Sequence, residues 1–140
     1  MKVCGLGSLD VLGAAHALSD LPHFVFLDSA SRHPVLGRYS FVAADPFGTF
    51  TVDDGVAFWN GEAFAGHPVP ALKSLLARFG QSTRPGLPPF QGGAAGYLGY
   101  DWGAMLERVP RAAYDDLAIP DVLLGIYDWV IAWDHRAKRA

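Results

Sequence analysis

The stretch Phe47-Gly48-Thr49-Phe50-Thr51-Val52-Asp53-Asp54-Gly55-Val56-Ala57-Phe58-Trp59-Asn60-Gly61-Glu62-Ala63-Phe64 reads as three short strands, 47–52, 56–59 and 62–64, joined by two tight turns. Asp54-Gly55 and Asn60-Gly61 are the turns, because Asn-Gly and Asp-Gly tolerate the positive φ that two-residue hairpins need. Consecutive strands with such short links pair antiparallel. A sheet is therefore nucleated in the middle of the chain.

Upstream, residues 23–28 are rich in Phe and Val and read as a strand, 30–36 as a loop, and 38–43 as the next strand. Before them, Ser8 or Asp10 caps a short helix with Val11, Ala14, Ala15 and Leu18 on one face; Leu21-Pro22 ends it. Downstream, 68–70 opens a helix in which Leu72, Leu75, Leu76 and Phe79 follow helical spacing up to Gly80. A Pro/Gly-rich loop spans 81–89 and a glycine-bearing strand 94–100. Asp101 then caps a helix with Trp102, Met105, Leu106 and Val109 on one face, closed by Pro110. Residues 122–133 form one long strand, apolar on both alternating faces and so expected to be covered on both. The expected fold is α+β: mainly antiparallel sheet with a few short packed helices, in a single domain over 1–140.

Composition narrows the function. Hydrophobic residues make up 51% and charged residues 18%, which argues against disorder. A net charge of −3 gives no basic footprint for nucleic acid. The single cysteine, Cys4, has no internal partner, and no apolar run is long enough for a membrane helix, so a cytoplasmic location is expected. The five histidines show no H-x-x-x-H or H-E-x-x-H spacing, so no metal ligands are assigned. Asp134-His135 is not read as an acid–base pair, because strand neighbours point to opposite faces.

Three motifs carry a resemblance. Pro89-Phe90-Gln91-Gly92-Gly93-Ala94-Ala95-Gly96-Tyr97-Leu98-Gly99-Tyr100-Asp101, continuing to Glu107-Arg108-Val109-Pro110, is the first. Phe26-Leu27-Asp28-Ser29, then Gly37-Arg38-Tyr39-Ser40-Phe41 and Asp45-Pro46, is the second; Ile119-Pro120-Asp121, Gly125-Ile126-Tyr127-Asp128 and Trp133-Asp134-His135 make up the third. In their order along the chain they resemble the N-terminal region of the chorismate-utilising amidating enzymes, component I of aminodeoxychorismate synthase and of anthranilate synthase. Tyr100-Asp101-Trp102-Gly103 with Leu106-Glu107 looks closer to the aminodeoxychorismate form.

The resemblance implies amination of chorismate to 4-amino-4-deoxychorismate for p-aminobenzoate and folate. It implies a C-terminal chorismate-binding domain carrying Mg²⁺ and the catalytic residues, and a glutamine amidotransferase supplying ammonia. No catalytic residue and no cofactor is assigned to this chain, which is expected to be inactive alone. The resemblance also implies half of a small pocket for tryptophan, formed by Asp28, Ser29, Arg38, Tyr39 and Ser40. Asp28 stands where many relatives have Glu, which shortens its reach. Gly92, Gly93, Gly96, Tyr100 and Asp101 are read as structural. The alternatives are an anthranilate synthase region with a tryptophan feedback site, or a ligand-sensing scaffold domain. Self-association is expected through Trp129, Trp133 or their neighbours, an apolar face meant for the C-terminal region.

Overall fold

A computed structural model describes every residue except 1, 32, 34, 35, 81, 106 and 109–116. The chain folds as two compact units: Met1–Pro46, Ser82–Gly92 and Tyr127–Ala140 make one, Phe47–Gln81 and Gly93–Ile126 the other. The elements are α1 (Val11–Leu18), β1 (Val25–Leu27), β2 (Tyr39–Ala43), β3 (Gly48–Asp53), β4 (Val56–Trp59), β5 (Glu62–Phe64), α2 (Pro68–Arg78), β6 (Gly93–Leu98), a 3-10 helix (Tyr100–Met105), β7 (Val122–Tyr127) and β8 (Ile131–Asp134). The fold is α+β, with antiparallel ladders and few short helices.

The first unit holds a three-stranded sheet in the order β1-β2-β8. Asp10 caps α1 by accepting from the Gly13 N–H at 2.6 Å. The helix lays Val11, Ala14, Ala15 and Leu18 against Val42, Trp133, Phe26 and Ile131. Burial of that apolar face, rather than helix propensity, holds so short a helix in place. The Trp133 indole N–H donates to the Leu9 carbonyl at 2.8 Å, so its ring is anchored at both ends. Tyr127, also buried, donates its hydroxyl to the His23 carbonyl at 2.6 Å. Burial pushes that hydroxyl's pKa above its ordinary value. The strand expected at 23–28 is confined to Val25–Leu27, because His23 takes a left-handed φ of 48° that a strand cannot continue through.

The second unit holds the five-stranded sheet β5-β4-β3-β7-β6. The meander forms as read: β4 and β5 have the expected bounds, and Asp54 and Asn60 take positive φ at the turns. Asn60 locks its turn with a carboxamide oxygen that accepts from the Thr49 N–H at 2.8 Å. Phe50, Val52, Ala57 and Val122 share one face and pack on Ala71 and Leu75 of α2. His67 caps α2 through Nδ1, a cap that the sequence reading did not name.

Two expectations change. Residues 122–133 are not one strand: β7 pairs with β3, β8 pairs with β2, and the chain breaks between them at residues 128–130. The apolar character on both sides serves two sheets in succession. Trp133 is 4% exposed, so it is not one of the uncovered side chains the sequence named for self-association. Asp101 does not cap an α-helix; it sits in the first turn of the 3-10 helix, and the Tyr100 ring is 91% exposed. Leu106, Val109 and Pro110 lie outside the described residues.

Gly96 is a glycine that the second sheet requires. A Cβ there would lie 2.0 Å from the Leu123 carbonyl oxygen on β7, a backbone atom that cannot swing aside. Gly93, with φ 113°, meets nothing within 4 Å, so only backbone conformation opposes a side chain there. Gly96→Ala is expected to cost about 3 kcal/mol, and Gly93→Ala about 1 kcal/mol. Urea denaturation of both variants checks this; equal midpoints would refute the close-approach role of Gly96.

Candidate functional site

The expected pocket residues lie on and beside β2, the centre of the first unit's sheet. Register decides where each one points. Tyr39 faces Asp134, Ser40 faces Trp133, Phe41 faces Ala132 and Val42 faces Ile131. Paired residues share a face. Ser40 and Val42 therefore lie on the α1 side, while Tyr39 and Phe41 lie on the opposite side, where Phe41 meets Phe90 edge-on at 5.8 Å.

Ser40 is fully buried and is the hub of the cluster. Its hydroxyl lies 2.7 Å from Asp28 Oδ1 and 2.7 Å from His135 Nε2, and it accepts from the Ser29 N–H at 3.2 Å. A hydroxyl has one proton and two acceptor positions, and a carboxylate only accepts. Ser40 thus donates to Asp28, and His135 donates to Ser40 through a protonated Nε2; the tautomer follows from the network. The Ser29 hydroxyl is spent on the Tyr39 carbonyl at 2.6 Å.

Arg38 turns elsewhere. Its guanidinium grips the Asp134 carboxylate with two bonds, Nε to Oδ1 at 3.1 Å and Nη2 to Oδ2 at 2.6 Å. It also lies 4.8 Å from the Tyr39 ring centroid. Asp134 Oδ1 accepts further from the Arg136 and Ala137 N–H groups, both at 3.1 Å. The bond from Arg38 is the main cause that holds the Asp134 carboxyl down to about 2; partial desolvation opposes it and the backbone donors assist.

Of the five residues, the structure brings Asp28, Ser29 and Ser40 together and places Arg38 and Tyr39 in a second group with Asp134. The residue missed by the sequence reading is His135. The reading that Asp134 and His135 diverge holds: one meets Arg38, the other Ser40. The signal that finds His135 is register, since its N–H donates to the Arg38 carbonyl at 2.9 Å and so extends the β2–β8 ladder. Chemically, Ser40 has no bonding capacity left and no access to solvent. Asp28 is exposed and keeps its second carboxylate oxygen for an outside donor such as an ammonium group. Among the described residues no group of three His, Cys, Asp or Glu gathers as metal ligands, so none is assigned to Mg²⁺.

In the glycine motif, Gly92 is close to the Tyr127 carbonyl oxygen, 3.0 Å from where a Cβ would stand. Gln91 is the other working residue there. Its carboxamide accepts from the Arg84 N–H and donates to the carbonyls of Arg84 and Pro88, which fixes the loop ahead of it.

Two outcomes are expected. Ser40→Ala should lower stability by about 1–2 kcal/mol, because its hydroxyl joins three partners. Arg38→Met should remove a stabilisation that is complete above about pH 4. The folded carboxyl is depressed, so that stabilisation fades as pH falls toward about 2. Urea titrations across this range should show the gap between wild type and Arg38→Met closing with acid; a constant gap would refute the linkage.

Against known proteins, no family model matches the chain. It is 38% identical over 123 residues to anthranilate synthase component 1 of Mycobacterium tuberculosis, which covers 82% of this chain and 24% of that protein. It is 33% identical over 120 residues to aminodeoxychorismate synthase component 1 of Bacillus subtilis, covering 83% of this chain and 25% of the relative. The solved anthranilate synthase component I of Streptococcus pneumoniae superposes with a TM-score of 0.64 at 26% identity, over 99% of this chain and 30% of the other. The chain thus spans about a quarter of the length of the curated relatives it matches. The chain is a homologue of component I of anthranilate synthase and of aminodeoxychorismate synthase, and corresponds to their N-terminal part.

Proposed function

We propose that this chain is the N-terminal region of an aminodeoxychorismate synthase component I, which aminates chorismate to 4-amino-4-deoxychorismate. The observation that carries the reading is the match over more than four fifths of the chain to component 1 of both synthases. Tyr100-Asp101-Trp102-Gly103 with Leu106-Glu107 supports the aminodeoxychorismate form. The higher identity to the Mycobacterium tuberculosis protein supports a second reading, the corresponding region of an anthranilate synthase.

In either reading the chain is a scaffold for chemistry done elsewhere. Magnesium, the chorismate-binding groups and the amidotransferase that delivers ammonia belong to other parts of the assembly. The exposed Asp28 carboxylate, backed by Ser40 and His135, supplies the ammonium-holding side of a half-pocket for an amino acid, tryptophan in the anthranilate reading. Self-association is proposed through the exposed apolar side chains of Leu98, Tyr100, Leu117 and Ile119 in the second unit, and sedimentation over a concentration series reads it.

The test is a chimera. Residues 1–140 replace the matching region of the Bacillus subtilis aminodeoxychorismate synthase component 1 and, separately, of the Mycobacterium tuberculosis anthranilate synthase component 1. The first chimera is expected to convert chorismate with ammonia and magnesium, and the isolated chain to show no turnover. Failure of both chimeras to fold and turn over would refute the family role. Turnover by the isolated chain would refute the scaffold assignment. Activity confined to the anthranilate chimera would favour the second reading.

A further inference from the structure

The first unit contains a pocket of about 580 Å³ that shares only Asp134 with the Ser40–Arg38 cluster. Its size lies within the range of about 300–1,000 Å³ typical of small-molecule sites. Three segments wall it: residues 2–6, 86–91 and 128–134, with Arg139 and Ala140 beside them. Each wall is fixed by hydrogen bonds. The Leu6 N–H donates to the Ala140 carbonyl and the Ala140 N–H to the Gly7 carbonyl, both at 2.9 Å. Asp134 and Arg139 form a β-bridge. The Gln91 carboxamide holds the loop at Arg84 and Pro88.

The lining combines two chemistries. Leu87, Phe90, Trp129, Ile131 and Ala132 give an apolar and aromatic surface. Lys2 and Arg139 give two cations, and neither is in an ion pair among the described residues. The carboxylate of Asp134 does not cancel them, because Arg38 and two backbone N–H groups already satisfy it. Asp128 is a second carboxylate on the wall. Unpaired cations beside aromatic rings select a ligand with a flat apolar body and an anionic end. A bare phosphate would leave the apolar surface wet, and a neutral hydrocarbon would leave the cations unused.

We propose that this pocket binds a planar aromatic carboxylate, with its rings against the surface that includes Phe90 and Trp129 and its carboxylate toward Lys2 and Arg139. The pocket carries its own reporter: Cys4, the chain's single cysteine, is exposed and lines the wall.

The experiment titrates 2-naphthoate into the chain, reading heat and, in parallel, the rate at which a thiol-specific aromatic disulfide modifies Cys4. Saturable binding is expected, with modification of Cys4 slowed at least threefold at saturation. Naphthalene-2-carboxamide tests the charge and cyclohexanecarboxylate tests the ring; each should bind at least tenfold more weakly. The double variant Lys2→Met, Arg139→Gln should bind 2-naphthoate at least tenfold more weakly with an unchanged Tm, since both side chains are exposed. Asp128→Asn should tighten binding. No binding at millimolar 2-naphthoate, equal affinity for the carboxamide, binding without protection of Cys4, or full affinity in the double variant would each overturn the proposal.

Discussion

The pairing of β2 with β8 is the constraint on which the first unit rests. Residues 39–42 meet residues 131–134 across a separation of about ninety positions, so the ladder closes a very long loop. Such closure costs chain entropy before any contact is gained. Apolar burial offsets it: Val42 and Trp133 on one face pack beneath α1, and Trp133 adds its bond to Leu9. The Arg38–Asp134 fork and the Ser40–His135 bond then follow from register. A one-residue slip of β2 would send Ser40 and Val42 to the opposite face and break both.

The Ser40 cluster shows how polar groups near a core are disposed. A buried hydroxyl without partners is destabilising, and here all three of its bonding positions are filled. That completeness assigns most of the cluster to architecture. Ser29 and Ser40 are consumed internally and Arg38 is consumed by Asp134, while Asp28 remains exposed with one oxygen on Ser40. The string of polar residues near β1 and β2 is thus mainly a set of mutual restraints around Ser40 and Asp134.

The glycine motif divides in a similar way. Gly96 exists for the approach of β7, and Gly92 for that of the Tyr127 carbonyl. Gln91 between Phe90 and Gly92 stitches the preceding loop through three bonds. Tyr100 and Asp101 take no part in this packing; Tyr100 presents its ring to solvent and Asp101 lies in a 3-10 turn.

Local physics made much of this protein legible from its sequence. Asp54-Gly55 and Asn60-Gly61 fixed the meander, because turn conformation depends on the turn residues themselves. A cap at Ser8 or Asp10, and the spacing of Leu72, Leu75 and Leu76, marked the two helices, because capping and amphipathicity are short-range properties. The three motifs, read together, pointed to component I of the two synthases. The tertiary structure alone decided the rest. Residues 122–133 looked like one strand, since alternation records only that both faces are buried and not which sheet buries them. The expected α-helix after Asp101 became a 3-10 turn, because propensity in so short a segment yields to packing. His135 joined Ser40, and Lys2 came to the same pocket as Arg139, through pairings between distant segments. Those pairings depend on which ladders close, and no single segment encodes that.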